Sequence, residues 1–142
     1  MSGQNRIMNI AKKLPSRYEV IPQFIEEVID LLKKEISITE NEIFDIKLVL
    51  EESLTNAVKH GNKLNPELIV DVSIATRGNQ LIMNVKDQGK GFDPQNVPDP
   101  TAQDKLLRTS GRGVFLIKKL MDEVSFADAG REITMVKILD KK

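Results

Sequence analysis

Residues 48–62 read LVLEESLTNAVKHGN, and they carry the strongest fold signal in the chain. Apolar residues recur at helical spacing through this stretch and the residues before it: Ile43, Ile46, Leu50, Leu54 and Ala57. The preceding Thr39-Glu40-Asn41-Glu42 matches a capping box, in which a hydroxyl and a carboxylate each satisfy a free backbone N–H group. We therefore predict a helix that begins after Thr39 and that Gly61 ends in a left-handed conformation.

A polar stripe runs along this predicted helix. Glu52 and Asn56 are four residues apart, which places their carboxylate and amide on the same face, and His60 follows one turn later. Spacings of this kind arise often by chance, and taken alone this one favours a solvated face of an amphipathic helix. A surface or capping role is also the favoured interpretation of His60, because no partner stands at a supporting spacing.

The residues before Thr39 predict a strand and another helix. Residues 6–14 favour a strand that Pro15 stops. A helix is predicted from about residue 20 to about residue 34, and Ser16 is a candidate cap for it. Its apolar side consists of Phe24, Ile25, Val28, Ile29 and Leu32.

After residue 61 the apolar period changes from helical to alternating. Two strands of a hairpin are predicted on either side of a turn at residues 77–80, with apolar faces formed by Leu68, Val70, Val72 and Ile74 and by Leu81, Met83 and Val85. A short helix is predicted from Gly111. Residues 123–138 predict a last pair of strands that turns at residues 128–130.

The order of these elements predicts the fold class. It favours an α+β fold, a two-layer α/β sandwich with helices on one face of a mixed, mostly antiparallel sheet. Three prolines among polar residues favour a loop over residues 93–110, and such long loops are often lids. At 142 residues and 40% apolar composition, the chain is expected to form a single domain over residues 1–142.

Composition excludes several kinds of site. The chain has no cysteine, which excludes disulfides, thiolate metal sites and thiol catalysis, and its single histidine excludes a multi-histidine metal site. Basic and acidic residues number 21 each, whereas a protein that binds nucleic acid through phosphates is normally basic. No apolar run approaches the roughly 18 residues of a membrane span. We expect a cytoplasmic protein that contacts neither nucleic acid nor membrane directly.

Two glycine-rich segments are candidate ligand sites. Asp87-Gln88-Gly89-Lys90-Gly91 follows a predicted strand, so its backbone can approach a flat ligand while its carboxylate accepts from an exocyclic amine such as that of adenine. An ordinary glycine turn is an equally good interpretation. Ser110-Gly111-Arg112-Gly113 opens a predicted helix, whose free backbone donors suit phosphate oxygens. The alternative there is a flexible hinge.

In this order and spacing, the three segments resemble the ATP-binding domain shared by gyrase, heat-shock chaperones, histidine kinases and mismatch-repair proteins. This is the GHKL superfamily, which has the Bergerat fold. Within it, the chain resembles the small serine/threonine kinases that act as anti-sigma factors. Residues 48–62 match the asparagine-bearing helix of the family, residues 87–93 its adenine loop, and residues 111–117 with 120–124 its second glycine box.

The resemblance implies a role for each matched residue. Glu52 would be the general base, and Asn56 would bind Mg²⁺ through its side-chain oxygen, with phosphates and waters completing the shell. Glu51 is a competing base candidate but lacks the four-residue spacing to Asn56. Asp87 would hold the adenine amine of ATP. The remaining implied residues are Gly89 and Gly91 beside the base, Gly111 and Gly113 folding the lid over the phosphates, and Arg108 and Arg112 neutralising charge.

The chain departs from the family at the start of the last strand. The superfamily usually has Gly-Thr there, where the threonine assists adenine recognition, and this chain has Gly130-Arg131. Thr134 does not substitute, because three residues along a strand it points to the opposite face from position 131. This departure is expected to affect how strongly adenine binds.

As a function, the resemblance implies an ATP- and Mg²⁺-dependent protein serine/threonine kinase. It would phosphorylate a small anti-sigma-factor antagonist, could bind a sigma factor, and would form a homodimer. The alternative is a nucleotide-gated protein-binding module, or a switch in a signalling complex that does not bind a sigma factor. A domain of this fold whose pocket has lost its function is the remaining interpretation.

Overall fold

A computed structural model describes residues 8–89 and 111–139, except for the side chains of Gly111 and Arg112. In chain order these residues form β1 (Asn9–Pro15), α1 (Val20–Glu35), α2 (Glu40–Asn56), a π-helical turn (Ala57–Gly61), β2 (Ile69–Arg77), β3 (Gln80–Lys86), α3 (Gly111–Leu120), β4 (Glu123–Ala127) and β5 (Glu132–Ile138). The predicted order of helices and strands is confirmed, and the loop predicted over residues 93–110 lies outside the described residues.

The strands form one sheet in the order β1-β2-β3-β5-β4. Each neighbouring pair is antiparallel, so the sheet of the described residues is more regular than the mixed sheet that was expected. The predicted β2–β3 hairpin closes with Arg77 opposite Gln80, and Gly78 adopts a φ of 60°, which glycine tolerates at little cost. The α+β fold predicted from the sequence is confirmed.

One face of the sheet and the helices share a single apolar core. Alternate residues of β2 and β3 point into it, as the period of two predicts: Val70, Val72, Ile74, Leu81, Met83 and Val85. The helix α2 contacts both α1 and α3 and contributes four fully buried side chains: Ile46, Val49, Leu50 and Leu54. Each such side chain stabilises the fold by roughly 1.5–3 kcal/mol. The core therefore fixes α2 rigidly above the sheet.

A buried lysine joins the two helices to the sheet. Lys137 of β5 is 8% exposed, and its Nζ lies 3.3 Å from Asp45 Oδ2 of α2. The same Nζ donates to the Leu120 carbonyl oxygen, at 3.3 Å, at the end of α3. A cation is favourable at the negative end of a helix. This contact fixes the carboxyl end of α3 relative to α2.

Ser16 does not cap α1, contrary to the prediction. Glu19 occupies the position before the helix and makes no side-chain cap. The Ser16 hydroxyl is buried and instead donates to the Leu68 carbonyl oxygen at 2.6 Å. It also accepts from Asn62 Nδ2 at 2.9 Å. These buried groups need partners, and that requirement takes precedence over a cap at a solvent-exposed helix end.

Gly61 does not end the helix in a left-handed conformation, so that prediction is also wrong. It is the last residue of the π-helical turn, and the left-handed residues come later, at Lys63 (φ 52°) and Leu64 (φ 59°). The glycine serves a close contact with another segment, described below.

None of the described helices combines the length and the apolar composition that a membrane crossing requires.

The capping box of α2 is present as predicted and can be tested. Glu42 N donates to Thr39 Oγ1 at 3.1 Å, and Thr39 N donates to Glu42 Oε1 at 2.9 Å. We expect Thr39→Ala to lower the free energy of unfolding by about 1 kcal/mol, because it leaves a helix donor without its partner. Urea denaturation measures the change. Thr39→Ser keeps the hydroxyl and should remain close to the parent; an equal loss in both variants would contradict the role of the cap.

Candidate functional site

The candidate site lies where the end of α2, the π-helical turn, the end of β3 and the start of α3 meet. Each segment brings one of the motifs singled out in the sequence. Glycines lie at the contacts between them, because a Cβ atom at these positions would come too close to a side chain or to the backbone of the neighbouring segment. The site therefore consists of two parts, one around Glu52 and Asn56 and the other around Asp87.

The first part joins α2 to the start of α3. Glu52 and Asn56 share a face of α2 and are both partly exposed. A Cβ atom added at Gly113 would lie 2.5 Å from Glu52 Oε2 and 3.3 Å from Asn56 Nδ2. The first turn of α3 thus lies directly against these two side chains. Its backbone N–H groups have no partners within the helix and form a favourable place for an anion.

Glu51 faces a different part of the molecule. It is exposed and lines a groove of about 410 Å³ between α1 and α2, together with Tyr18, Ile25 and Lys47. Glu52, in contrast, lies beside Gly113. Of the two adjacent carboxylates, the structure brings only Glu52 to Asn56 and the start of α3.

The second part is a buried carboxylate at the end of β3. Asp87 is 8% exposed, and its Oδ1 accepts a hydrogen bond from Gly89 N at 2.9 Å. A Cβ atom at Gly61 would overlap the Asp87 carboxylate, and one at Gly89 would overlap the Gly61 carbonyl group. The three residues are therefore in mutual contact. Because a carboxylate has about four acceptor positions, Asp87 retains capacity for a donor from a ligand.

The groups around Asp87 have opposing effects on its pKa. Burial is the largest effect and raises the pKa of Asp87 above its ordinary value. The Gly89 hydrogen bond and the Arg131 cation lower this pKa and so oppose the effect of burial. A partly desolvated carboxylate held in this way is a strong acceptor for an amine that a ligand presents.

Asn62 is a residue of the site that sequence reasoning missed. It is 1% exposed, and its Oδ1 accepts from Gln88 N at 2.7 Å. Its Nδ2 donates to Ser16 Oγ and to the Ile69 carbonyl oxygen, both at 2.9 Å. Gln88 Oε1 in turn accepts from Ile69 N at 2.8 Å. Asn62 therefore fixes the backbone that follows Asp87. In the sequence, Asn62 is an asparagine that follows a predicted helix. Asparagine is common at such loop positions, so the residue type alone does not indicate this role.

The structure places some of the remaining predicted residues. Gly89 and Gly113 lie in the contacts just described, and Gly111 is the first residue of α3. Gly91 and Arg108 fall outside the described residues, and so does the side chain of Arg112. Their predicted roles stay predictions.

The residues present are suited to Mg²⁺ bound together with a phosphorylated ligand. Among residues 8–89 and 111–139, no three His, Asp or Glu side chains are placed to hold a metal ion by themselves. Magnesium usually keeps several waters and is held by one or two protein oxygens together with phosphates of the substrate. The Asn56 side chain beside the start of α3 supplies one such oxygen next to a place suited to phosphate.

Comparison with known proteins gives the family. The chain belongs to the histidine kinase-like ATPase domain family, whose model matches residues 14–137. It is 32% identical over 110 residues to the serine-protein kinase RsbW of Staphylococcus epidermidis, covering 72% of this chain and 69% of that protein. It is 33% identical over 112 residues to the serine-protein kinase RsbW of Staphylococcus aureus, covering 73% and 70%. The resemblance to this superfamily of ATPases is confirmed.

The hydrogen bonds of Asn62 make its replacement costly. We expect Asn62→Ala to lower the free energy of unfolding by roughly 1–3 kcal/mol, because buried groups at Gln88 and Ile69 lose their partner. Urea denaturation measures this loss. Asn79→Ala, in the exposed β2–β3 turn, is the matched control and should change stability by less than about 0.5 kcal/mol. Similar losses in the two variants would show that Asn62 does not hold this network.

Two glycines allow a matched test of the close contact at Asp87. We expect Gly61→Ala to weaken ATP binding at least tenfold, since the added methyl group overlaps the Asp87 carboxylate. Gly78→Ala meets no atom within 4 Å and should lose only about 1–2 kcal/mol of stability, from its positive φ, with ATP binding unchanged. Isothermal titration calorimetry compares both variants with the parent. ATP binding by Gly61→Ala equal to that of the parent would contradict the contact.

Proposed function

We propose that this chain is an ATP- and Mg²⁺-dependent protein serine/threonine kinase of the anti-sigma-factor type. Its substrate would be a small anti-sigma-factor antagonist, to which it transfers the γ-phosphoryl group. The observation that carries the proposal is the placement of Glu52 and Asn56 against the first turn of α3. The similarity to serine-protein kinases over about 70% of their length supports the same reaction.

The adenine of ATP would bind at Asp87. The carboxylate accepts the exocyclic amine, and the backbones of Gly61 and Gly89 pass beside the flat face of the base, as their close approach allows. Gly91 would extend this surface. Asn62 keeps Gln88 in place, so the loop is preorganised for the base before it binds.

The phosphates would lie between Asn56 and the start of α3. The N–H groups of Gly111 and Gly113 in the first turn of α3 suit phosphate oxygens, and Arg108 and Arg112 would neutralise developing charge. Mg²⁺, held by the Asn56 side chain, would compensate the charge of the phosphates when bound. The protein would thereby orient the γ-phosphoryl group toward Glu52.

Glu52 would act as the general base. As the substrate hydroxyl oxygen forms its bond to the γ-phosphorus, the bond to the leaving oxygen of ADP breaks, and the hydroxyl proton passes to the Glu52 carboxylate. Glu51 is unsuited to this role because it faces the groove between α1 and α2. Most of the catalysis would come from positioning the reactants.

The partners belong to the same proposal. The chain would act in the cytoplasm, as a homodimer, and could bind a sigma factor as well as the antagonist. Direct contact with nucleic acid or membrane is not part of the proposed activity. If nucleotide bound and no partner were ever phosphorylated, the chain would instead be a nucleotide-gated binding module.

Adjacent glutamates provide a matched pair for testing the reaction. We expect Glu52→Gln to bind ATP about as well as the parent but to transfer phosphate 10²–10⁴-fold more slowly, the usual contribution of a general base. Glu51→Gln should transfer at nearly the parental rate. Transfer of labelled γ-phosphate from ATP to the cognate antagonist measures the rate, and calorimetry measures ATP binding separately.

The outcomes of this test separate the alternatives. Parental transfer by Glu52→Gln would remove Glu52 as the base, and a loss confined to Glu51→Gln would assign the role to its neighbour. ATP binding by the parent without any phosphorylated product would favour the binding module. An absence of ATP binding by the parent at millimolar concentration with Mg²⁺ would overturn the proposed function as a whole.

A further inference from the structure

Arg131 lies directly beside the proposed adenine site. Its Nη1 donates to the Gly89 carbonyl oxygen at 3.3 Å, and its own carbonyl oxygen accepts from Asp87 N at 2.9 Å. Through backbone and side chain, this residue therefore holds both ends of the segment from Asp87 to Gly89.

The guanidinium group is itself held in place. Its Nη2 donates to Asp128 Oδ1 at 2.9 Å, and Lys86 Nζ lies 3.3 Å from Asp128 Oδ2. Asp128 sits in the turn between β4 and β5 with a φ of 53°, and its ion pair with Lys86 places its carboxylate beside the last residue of β3. The Arg131 side chain is 31% exposed. A guanidinium fixed at two nitrogens and partly buried has few alternative positions, which makes it suited to orienting a neighbour.

Resting on the proposed function, we propose that Arg131 is a positioning residue for purine selection. It fixes the Gly89 backbone and presents a cation to the Asp87 carboxylate, so that this carboxylate accepts from adenine and rejects guanine. Arg131 stands where the resemblance to the family predicts a threonine. The residue would thus act on the loop and on Asp87 rather than on the base itself.

The chemistry of the two purines gives the selection its direction. Adenine carries an amine donor at the position where guanine carries a carbonyl acceptor. An ionised carboxylate accepts from the amine and repels the carbonyl oxygen. A protonated carboxyl group can donate to that oxygen, and it then discriminates less between the two bases.

The charged groups around Asp87 determine how its ionisation responds. Burial raises the pKa of Asp87, and the Arg131 cation is one of the two effects that lower it. From the same turn, Asp128 raises the pKa, although its own charge is paired with Lys86 of β3. The π-helical turn places the uncharged Gly61 against the Asp87 carboxylate. Loss of the cation at position 131 therefore raises the pKa of Asp87 further, and the carboxylate is protonated at higher pH.

Titration calorimetry with ATP and with GTP, each with Mg²⁺, tests the proposal between pH 5.5 and pH 8. We expect Arg131→Gln to bind ATP about tenfold more weakly than the parent at neutral pH, the effect of one charge-assisted contact. The loss should grow as the pH falls, whereas GTP binding changes little. Arg131→Lys keeps the positive charge but lacks the two-nitrogen geometry of the guanidinium. It should therefore keep most of the parental pH dependence of ATP binding.

Asp87→Asn separates a positioning role from a structural one. Without an ionisable group at position 87, Arg131→Gln should alter the ratio of ATP to GTP affinity much less than it does in the parent. Any pH dependence of the affinity ratio that remains in this background belongs to groups other than residue 87. A variant that simply folds poorly would lose both nucleotides equally, so the affinity ratio distinguishes selection from stability.

Three results would overturn the proposal. If the parent binds ATP and Arg131→Gln has the same affinity ratio and pH profile, Arg131 does not select the purine. If the effect of Arg131→Gln is as large with Asn at position 87, the residue acts only on the structure of the turn. If the parent binds no ATP, the proposed function fails and this proposal fails with it.

Discussion

The close approach of Gly61 to Asp87 and Gly89 is the constraint on which the site depends. It brings the π-helical turn after α2 against the segment after β3, so closely that a Cβ atom at Gly61 or at Gly89 would overlap the other segment. The π-helical turn Ala57–Gly61 widens the last turn of the helix at this point, as such turns often do near functional sites. Asn62 stabilises this contact, because its side-chain oxygen accepts a hydrogen bond from Gln88 N. A helix and a strand from opposite layers are thereby joined at one corner.

This corner sets the position of every other group of the site. Measured along the helix from Gly61, Asn56 lies about one and a half turns away and Glu52 about two and a half turns away. Because the α2 core side chains are fully buried, the helix cannot slide or rotate to change these positions. Lys137 holds the carboxyl end of α3, the helix whose first turn lies against Glu52 and Asn56. A rigid arrangement suits a reaction whose catalysis comes mainly from orientation.

Local signals in the sequence predicted the fold well, and contacts between distant residues were harder to predict. The capping box at Thr39 and the alternation around Gly78 depend on neighbours in sequence, and both were predicted correctly. Ser16 and Gly61 carry signals that suit a helix end, yet in the structure each satisfies a partner 26 or more residues away: Leu68 for Ser16 and Asp87 for Gly61. The sequence pattern shows that such residues are special without showing which partner makes them so.

Arg131 stands where the resemblance to the family predicts a threonine, and its contacts differ from those open to a threonine. A threonine hydroxyl is short and can act on the base directly, whereas the guanidinium of Arg131 is turned toward Gly89 and Asp128. The nearest hydroxyl on β5 does not replace it, because Thr134 Oγ1 accepts from Asn84 Nδ2 at 2.9 Å, on the polar face of the sheet. In the proposed site, recognition of the base would therefore depend on the loop backbone and on the charge of Asp87 rather than on a hydroxyl. Such a site would depend more on electrostatics than one with a threonine hydroxyl, since burial disfavours the charged form of the Asp87 carboxylate.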